Sequence, residues 1–212
     1  IPLRLVGSEM CIRDRYKNLT SFQLDALREV SNIGAGNSAT ALSMLLGTKI
    51  DMSVPNMNII EFDELFNSCK ENEVVAVLVR VLDDIPGSVL YIFEEDVALN
   101  MISKMTYKDE KTFTEMGISV IGEIGNIISS SFMNAIANFT GLKATASVPA
   151  VANDMLSAIL ISTFVETGQH EEYVLDIETL FMGEGDNKIE GHFYFVPAPG
   201  SLEKILESLG IR

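Results

Sequence analysis

A carboxylate and an amide three residues apart occur at Glu29/Asn32 and again at Glu123/Asn126. Each pair sits in a longer pattern, Asp25-x3-Glu29-x2-Asn32-x22-Pro55 and Ser119-x3-Glu123-x2-Asn126-x22-Pro149, with the same spacing in both copies. If each residue type is used at about 5%, three named residues at fixed offsets match by chance roughly once in 10⁴ start positions. One copy alone is accounted for by a solvated helix face, where Glu is ordinary and Asn tolerated. A second copy with the same spacing argues for chemistry. Positions separated by four and then three residues share one stripe of an α-helix, so Asp25, Glu29 and Asn32 project together, as do Ser119, Glu123 and Asn126. Mid-helix Asn competes with the backbone for hydrogen bonds and is not chosen for propensity, so its place needs another reason.

The pair suits hydrolysis of an activated phosphate that already sits beside a metal. Such a reaction needs a water held in line with the leaving oxygen and little covalent help. An Asn amide can orient that water, and a Glu carboxylate can engage a cation near the phosphoryl group and so dock the partner. The leading position is Asp25 in one copy and Ser119 in the other; a position that tolerates a changed charge supports the chemistry and does not perform it. Pro55 and Pro149 offer only a carbonyl and a fixed φ, and read as structural markers.

The elements that must carry these residues follow from periodicity and punctuation. A long helix is expected from Ser21, read as its N-cap, to a stop at Gly47. Extended structure should follow from Thr48 to Ile60, then a buried strand at Val74–Leu82, a turn at Pro86-Gly87, a strand at Ser88–Phe93 and a shorter helix near Glu95–Met105. The order then restarts with a second long helix, Phe113 to Thr140, and extended segments around Pro149 and from Leu156 to Thr167. A hairpin of Glu172–Leu180 with Lys188–Val196 is expected across Gly185-Asp186-Asn187, and Pro199-Gly200-Ser201 should cap a last helix near Leu202–Leu209.

The offset of 94 between Glu29 and Glu123 aligns the halves without a gap from the first long helix into the next strand. Ile33, Ala41, Gly47, Lys49, Ser53, Val54 and Pro55 then meet identical residues at Ile127, Ala135, Gly141, Lys143, Ser147, Val148 and Pro149. Such repetition is the footprint of duplicated architecture. The expected fold is α/β, a pseudo-two-fold duplicated domain with two long and two shorter helices packed on β-sheet. Its repeats run over about residues 19–108 and 112–212. Directly after each pair the helix turns small, with Gly34-Ala35-Gly36 in one copy and Ser129-Ser130-Ser131 in the other. Mid-helix Gly costs roughly 1 kcal/mol relative to Ala, and either a close approach from outside or tight packing would account for it.

A net charge of -15 over 212 residues argues against nucleic acid, which needs clustered Lys and Arg. A phosphoryl group presented by a protein with its own metal remains compatible with it. No uncharged apolar run reaches the roughly 18 residues of a spanning helix. Cys11 and Cys69 are too few for a disulfide framework, so a reducing cytoplasm is the expected setting. The first fifteen residues, IPLRLVGSEMCIRDR, show no periodicity and are expected to be a non-native or disordered leader. Gly34-Ala35-Gly36-Asn37-Ser38-Ala39 matches the dinucleotide pattern G-x-G-x-x-A, but a helix precedes it where that fingerprint needs a strand. His170, His192 and Cys69 have no partner at ligand or catalytic spacing.

The doubled D/S-x3-E-x2-N-x22-P pattern, with NIGAGNSATALS, EIGNIISSSFMNAI and the closing PAPGSLEKILESLGI, resembles the CheC family of chemotaxis phosphatases, which act on phosphorylated CheY. The similarity runs from about Leu19 to the C-terminus. It implies that Glu29/Asn32 and Glu123/Asn126 form two active centres on the long helices, with Asp25 and Ser119 in support. It implies no cofactor bound by this chain, Mg²⁺ carried by the CheY substrate, and a monomer or a heterodimer with the receptor deamidase CheD. The alternative is a binding protein of the flagellar-switch type, like FliY or FliM, or an adaptor controlling CheD. A FliY-like chain is expected to carry a further switch domain.

Overall fold

The computed structural model describes residues 19–211 apart from 54–55, 62–63, 65, 67–72, 167–172, 179–180, 184–190 and 199. In chain order the elements are α1 (Ser21–Leu46), β1 (Ile50–Met52), β2 (Asn56–Glu61), β3 (Glu73–Asp83), β4 (Gly87–Glu94), α2 (Glu95–Thr106), α3 (Glu115–Thr140), β5 (Ala144–Ala146), β6 (Ala150–Met155), α4 (Leu156–Glu166), β7 (Tyr173–Glu178), β8 (Phe181–Gly183), β9 (Gly191–Pro197) and α5 (Ser201–Ser208).

The antiparallel main sheet runs β2-β7-β9-β4-β3-β5, with β6 also on β3, while β1 pairs with β8. Exchanging β2 with β6, β3 with β7 and β4 with β9 leaves this order unchanged, so the central β4–β9 pair carries a pseudo-two-fold axis. Matching registers make the point: Asn56 to Glu61 run against Glu178 to Tyr173, and Ala150 to Met155 run against Leu78 to Glu73. Pro149 sits where the edge beside β3 breaks between β5 and β6; there Ser147 spans the gap by bonding the Arg80 backbone on both sides, at 2.8 and 2.9 Å. A residue without an N–H fits at such a break. Pro55 lies outside the described residues.

Alternation along β3 sends Val75, Val77, Val79 and Val81 into a core beneath α1, α2, α3 and α5. Val74 and Ala76 face the other way, where Leu90, Ile92, Ile159 and Leu160 form a second cluster. The chain is therefore helices, sheet, then α4. The segment from Leu156, expected to be extended, is this helix. Its apolar, β-branched composition fits either state, and the apolar back face of the sheet decides in favour of a covering layer. Residues 62–72 hold the equivalent place in the first repeat and lie mostly outside the described residues.

Two boundaries also differ from expectation. The N-cap of α1 is Thr20, whose hydroxyl accepts from the Gln23 amide while the Gln23 side chain accepts from the Thr20 amide, a capping box. The second long helix starts at Glu115 behind Thr114, whose hydroxyl accepts from the Gly117 amide at 3.1 Å. Thr20 and Thr114 stand at the same offset as the Glu/Asn pairs. Both helices are 26 residues long and stop at a left-handed glycine, Gly47 (φ 61°) and Gly141 (φ 73°), a conformation that Gly adopts without a Cβ penalty. Strands β7 and β9 pair antiparallel, Leu175 opposite Phe195, with β8 set off between them to pair with β1. Gly185-Asp186-Asn187 lies outside the described residues, and α5 begins behind Gly200 (φ 86°). Helix α3 alone among the described residues is long and apolar enough to cross a membrane. Its apolar face, Ile121, Ile124, Ile128, Phe132 and Ile136, is buried in the core.

Candidate functional site

Helices α1 and α3 pack against each other on one side of the sheet. Gly34 of α1 meets the ring of Phe132 of α3, and Ser38 of α1 donates to the Ile128 carbonyl of α3 at 2.8 Å. These contacts are mates under the repeat, since Ser38 and Phe132 are equivalent and so are Gly34 and Ile128. Each small residue of α1 receives a large one of α3. Because the partner number falls as the α1 number rises, the helices run antiparallel, and the two-fold places their outer faces on one side of the molecule.

The outer stripe of α1 contains Asp25 and Glu29, both exposed, and half-buried Asn32; on α3 it contains exposed Ser119 and Glu123 and half-buried Asn126. All six predicted site residues are therefore presented outward, in two groups of three at equivalent places. From the rise of an α-helix and the packing register, the two Asn lie roughly 12 Å apart along the helix axes. Among the described residues, Glu29, Asn32, Glu123 and Asn126 make no side-chain hydrogen bond or ion pair. Both carboxylates and both amides are free to meet a partner, and each is held on a rigid, capped helix with few side-chain torsions to fix.

The supporting positions differ. Asp25 accepts from Arg28 Nη1 at 2.7 Å in an exposed ion pair, worth little in stability at such exposure. Ser119 turns back to donate to the Glu115 carbonyl at 3.0 Å. The residue equivalent to Arg28 is Gly122, so the first group carries a local charge pair and the second does not. Two exposed apolar residues, Phe22 (67% exposed) and Met116 (65%), continue the stripes one turn before Asp25 and Ser119. Sequence reading passed over them, although the same offset relates them. Among the described residues no group of three or more His, Cys, Asp or Glu could hold a metal ion; His192 is exposed on β9, while His170 and Cys69 lie outside the described residues.

Comparison with known proteins decides the family. The chain is 32% identical to the CheY-P phosphatase CheC of Bacillus subtilis over 203 residues, covering 92% of this chain and 97% of that protein. The chain belongs to the CheC family. The CheC-like family model matches residues 22–59 and the model for chemotaxis phosphatase CheX matches residues 75–177, so the first takes in Glu29/Asn32 and the second Glu123/Asn126. The CheC1 protein of Halobacterium salinarum is 27% identical, with 88% of this chain and 96% of that one covered. Among solved structures the fold is shared with FliY of Thermotoga maritima (22% identity, 91% and 98% coverage, TM-score 0.74). It is also shared with CheX in the CheX–CheY–BeF3–Mg²⁺ complex of Borrelia burgdorferi (18%, 77% and 94%, TM-score 0.54). Within this CheC-family chain, the outward Glu/Asn stripes stand at equivalent places in both repeats.

Proposed function

We propose that this protein is a phosphatase that removes the phosphoryl group from the aspartate of CheY-P. The observation that carries the reading is the pair of unengaged Glu-x-x-Asn stripes facing outward from two capped, symmetry-related helices. The B. subtilis relative is named for this activity, and a CheX of the same fold has been crystallised with CheY, BeF3 and Mg²⁺.

In this mechanism Glu29 or Glu123 reaches a cation beside the phosphoryl group and fixes the regulator on the helix. Asn32 or Asn126, nearly one turn further along the same stripe, turns a water toward phosphorus in line with the aspartyl oxygen. Mg²⁺ comes with the regulator and stabilises the equatorial charge; no cofactor is bound by this chain. Catalysis comes from placing the water and excluding its competitors, which suits a site built on rigid helix. Phe22 and Met116 give each stripe an apolar foot for a protein-sized partner. The family resemblance supports CheD as a second partner in a heterodimer, and the cytoplasm as the place of work.

The test follows loss of phosphate from a purified, phospholabelled regulator. Adding the protein should speed the loss, and chelating Mg²⁺ should stop it; a rate that stays at the regulator's own decay with Mg²⁺ present counts against the reading.

A further inference from the structure

Five glycines lie inside the two long helices, and three of them have a close internal neighbour as their reason. A Cβ on Gly34 would fall 2.5 Å from the Phe132 ring, on Gly125 2.3 Å from Val77 and on Gly117 3.2 Å from Ile102, while on Gly122 it would make an ordinary contact, 3.5 Å from Val151. The fifth, Gly36, has nothing among the described residues within 4 Å of the place a Cβ would occupy. An unpacked mid-helix glycine forgoes about 1 kcal/mol relative to Ala, and no contact among the described residues recovers it. Gly36 lies four residues after Asn32 and seven after Glu29, on the same outward stripe and one turn beyond the amide. Its own carbonyl accepts from the Thr40 hydroxyl at 2.9 Å, so the backbone there is satisfied and the bare Cα face is what remains. The equivalent position in the second repeat is Ser130, half-buried and with a side chain.

We propose that Gly36 is a positioning and specificity-determining residue of the first site: the phosphorylated regulator brings its backbone against the bare Cα next to Asn32, an approach that Ser130 denies at the second site. The inference rests on the phosphatase reading above. At the first site the partner settles one side chain's depth closer to the helix, which sets the distance from the Asn32 amide to phosphorus. At the second the Ser130 hydroxymethyl holds the same loop away. The two sites thus share chemistry and differ in fit, so they differ in affinity for one regulator and in preference between regulators with bulky or slim loops around the phosphoryl aspartate.

Single-site backgrounds isolate the effect. In Asn126→Ala protein, which leaves only the first site, Gly36→Ala and Gly36→Ser should raise the melting temperature. They should also raise KM for the phosphorylated regulator by roughly tenfold, the expected order for one intruding methyl group, since only the first site turns over in this background. In Asn32→Ala protein, which leaves only the second site, the same changes should leave KM and kcat unaltered, and Ser130→Gly should lower KM. Unchanged KM after Gly36→Ala in the Asn126→Ala background overturns the role of Gly36 and leaves the phosphatase reading standing. If the unsubstituted protein leaves the phosphorylated regulator at its own decay rate with Mg²⁺ present, the phosphatase reading falls and this inference falls with it.

Discussion

Gly34 of α1 lies flat against the ring of Phe132 of α3, so that a Cβ at position 34 would stand 2.5 Å from ring Cδ2. The ring cannot retreat, because it is 1% exposed and rests on Phe193 with centroids 4.6 Å apart. Gly34→Ala is therefore expected to destabilise the fold by about 1–3 kcal/mol, the usual cost of overpacking. Gly36→Ala, two residues on, should stabilise it by up to about 1 kcal/mol through helix propensity. Urea unfolding of both variants checks the opposite signs. Equal effects would mean that the helices do not cross where the Gly34–Phe132 contact puts them.

Tyr91 of β4 is buried beneath that crossing, and neither its hydroxyl nor that of Ser129 finds a hydrogen-bond partner among the described residues. The Ser129 and Ser38 hydroxyls lie near enough to favour the tyrosinate slightly, but burial dominates and pushes the Tyr91 hydroxyl above its ordinary range. An acid whose pKa is raised on folding keeps its proton in the native state after the unfolded chain has lost it. Its stabilising effect is complete below the ordinary tyrosine pKa of about 10 and is lost as pH climbs beyond it. Tyr91→Phe should flatten the fall of stability above pH of about 10, and ultraviolet titration should show one tyrosine resisting ionisation until the protein unfolds. Ser129→Ala should be neutral or stabilising by about 1 kcal/mol, since it removes an unpaired buried hydroxyl.

The two residues of each pair should fail differently. Loss of the docking carboxylate in Glu29→Gln/Glu123→Gln should raise KM and weaken its salt dependence, with kcat less affected. Loss of the water-orienting amide should lower kcat with KM nearly kept. Steady-state kinetics over a salt series separates them, and a shared kcat defect with unchanged KM would remove the docking role from Glu.

Much of this was legible in the sequence because the molecule is written twice. The offset relating Glu29 to Glu123 also relates Gly47 to Gly141, so helix stops, site residues and the onset of β1 and β5 could be read against each other. Thr20 and Thr114 obey it too, and extending the comparison one turn toward the N-terminus would have replaced Ser21 as the cap. The segment from Leu156 resisted reading because an apolar, β-branched stretch of that length suits strand and helix alike. The deciding fact, an apolar back face at Val74, Ala76, Leu90 and Ile92, belongs to other strands. Gly34 and Gly36 could not be told apart in the sequence for the same reason: what separates them is Phe132, on the other long helix.

The central claim is that the Asn amides place the attacking water while the rest of the surface binds the regulator. The most direct measurement is single-turnover dephosphorylation by the Asn32→Ala/Asn126→Ala double variant, paired with its affinity for the beryllofluoride-activated regulator. The predicted result is unchanged binding with the rate reduced roughly 10²-fold or more, toward the regulator's own decay. A well-folded double variant that still hydrolyses the phosphoryl aspartate at the parent rate would contradict the account.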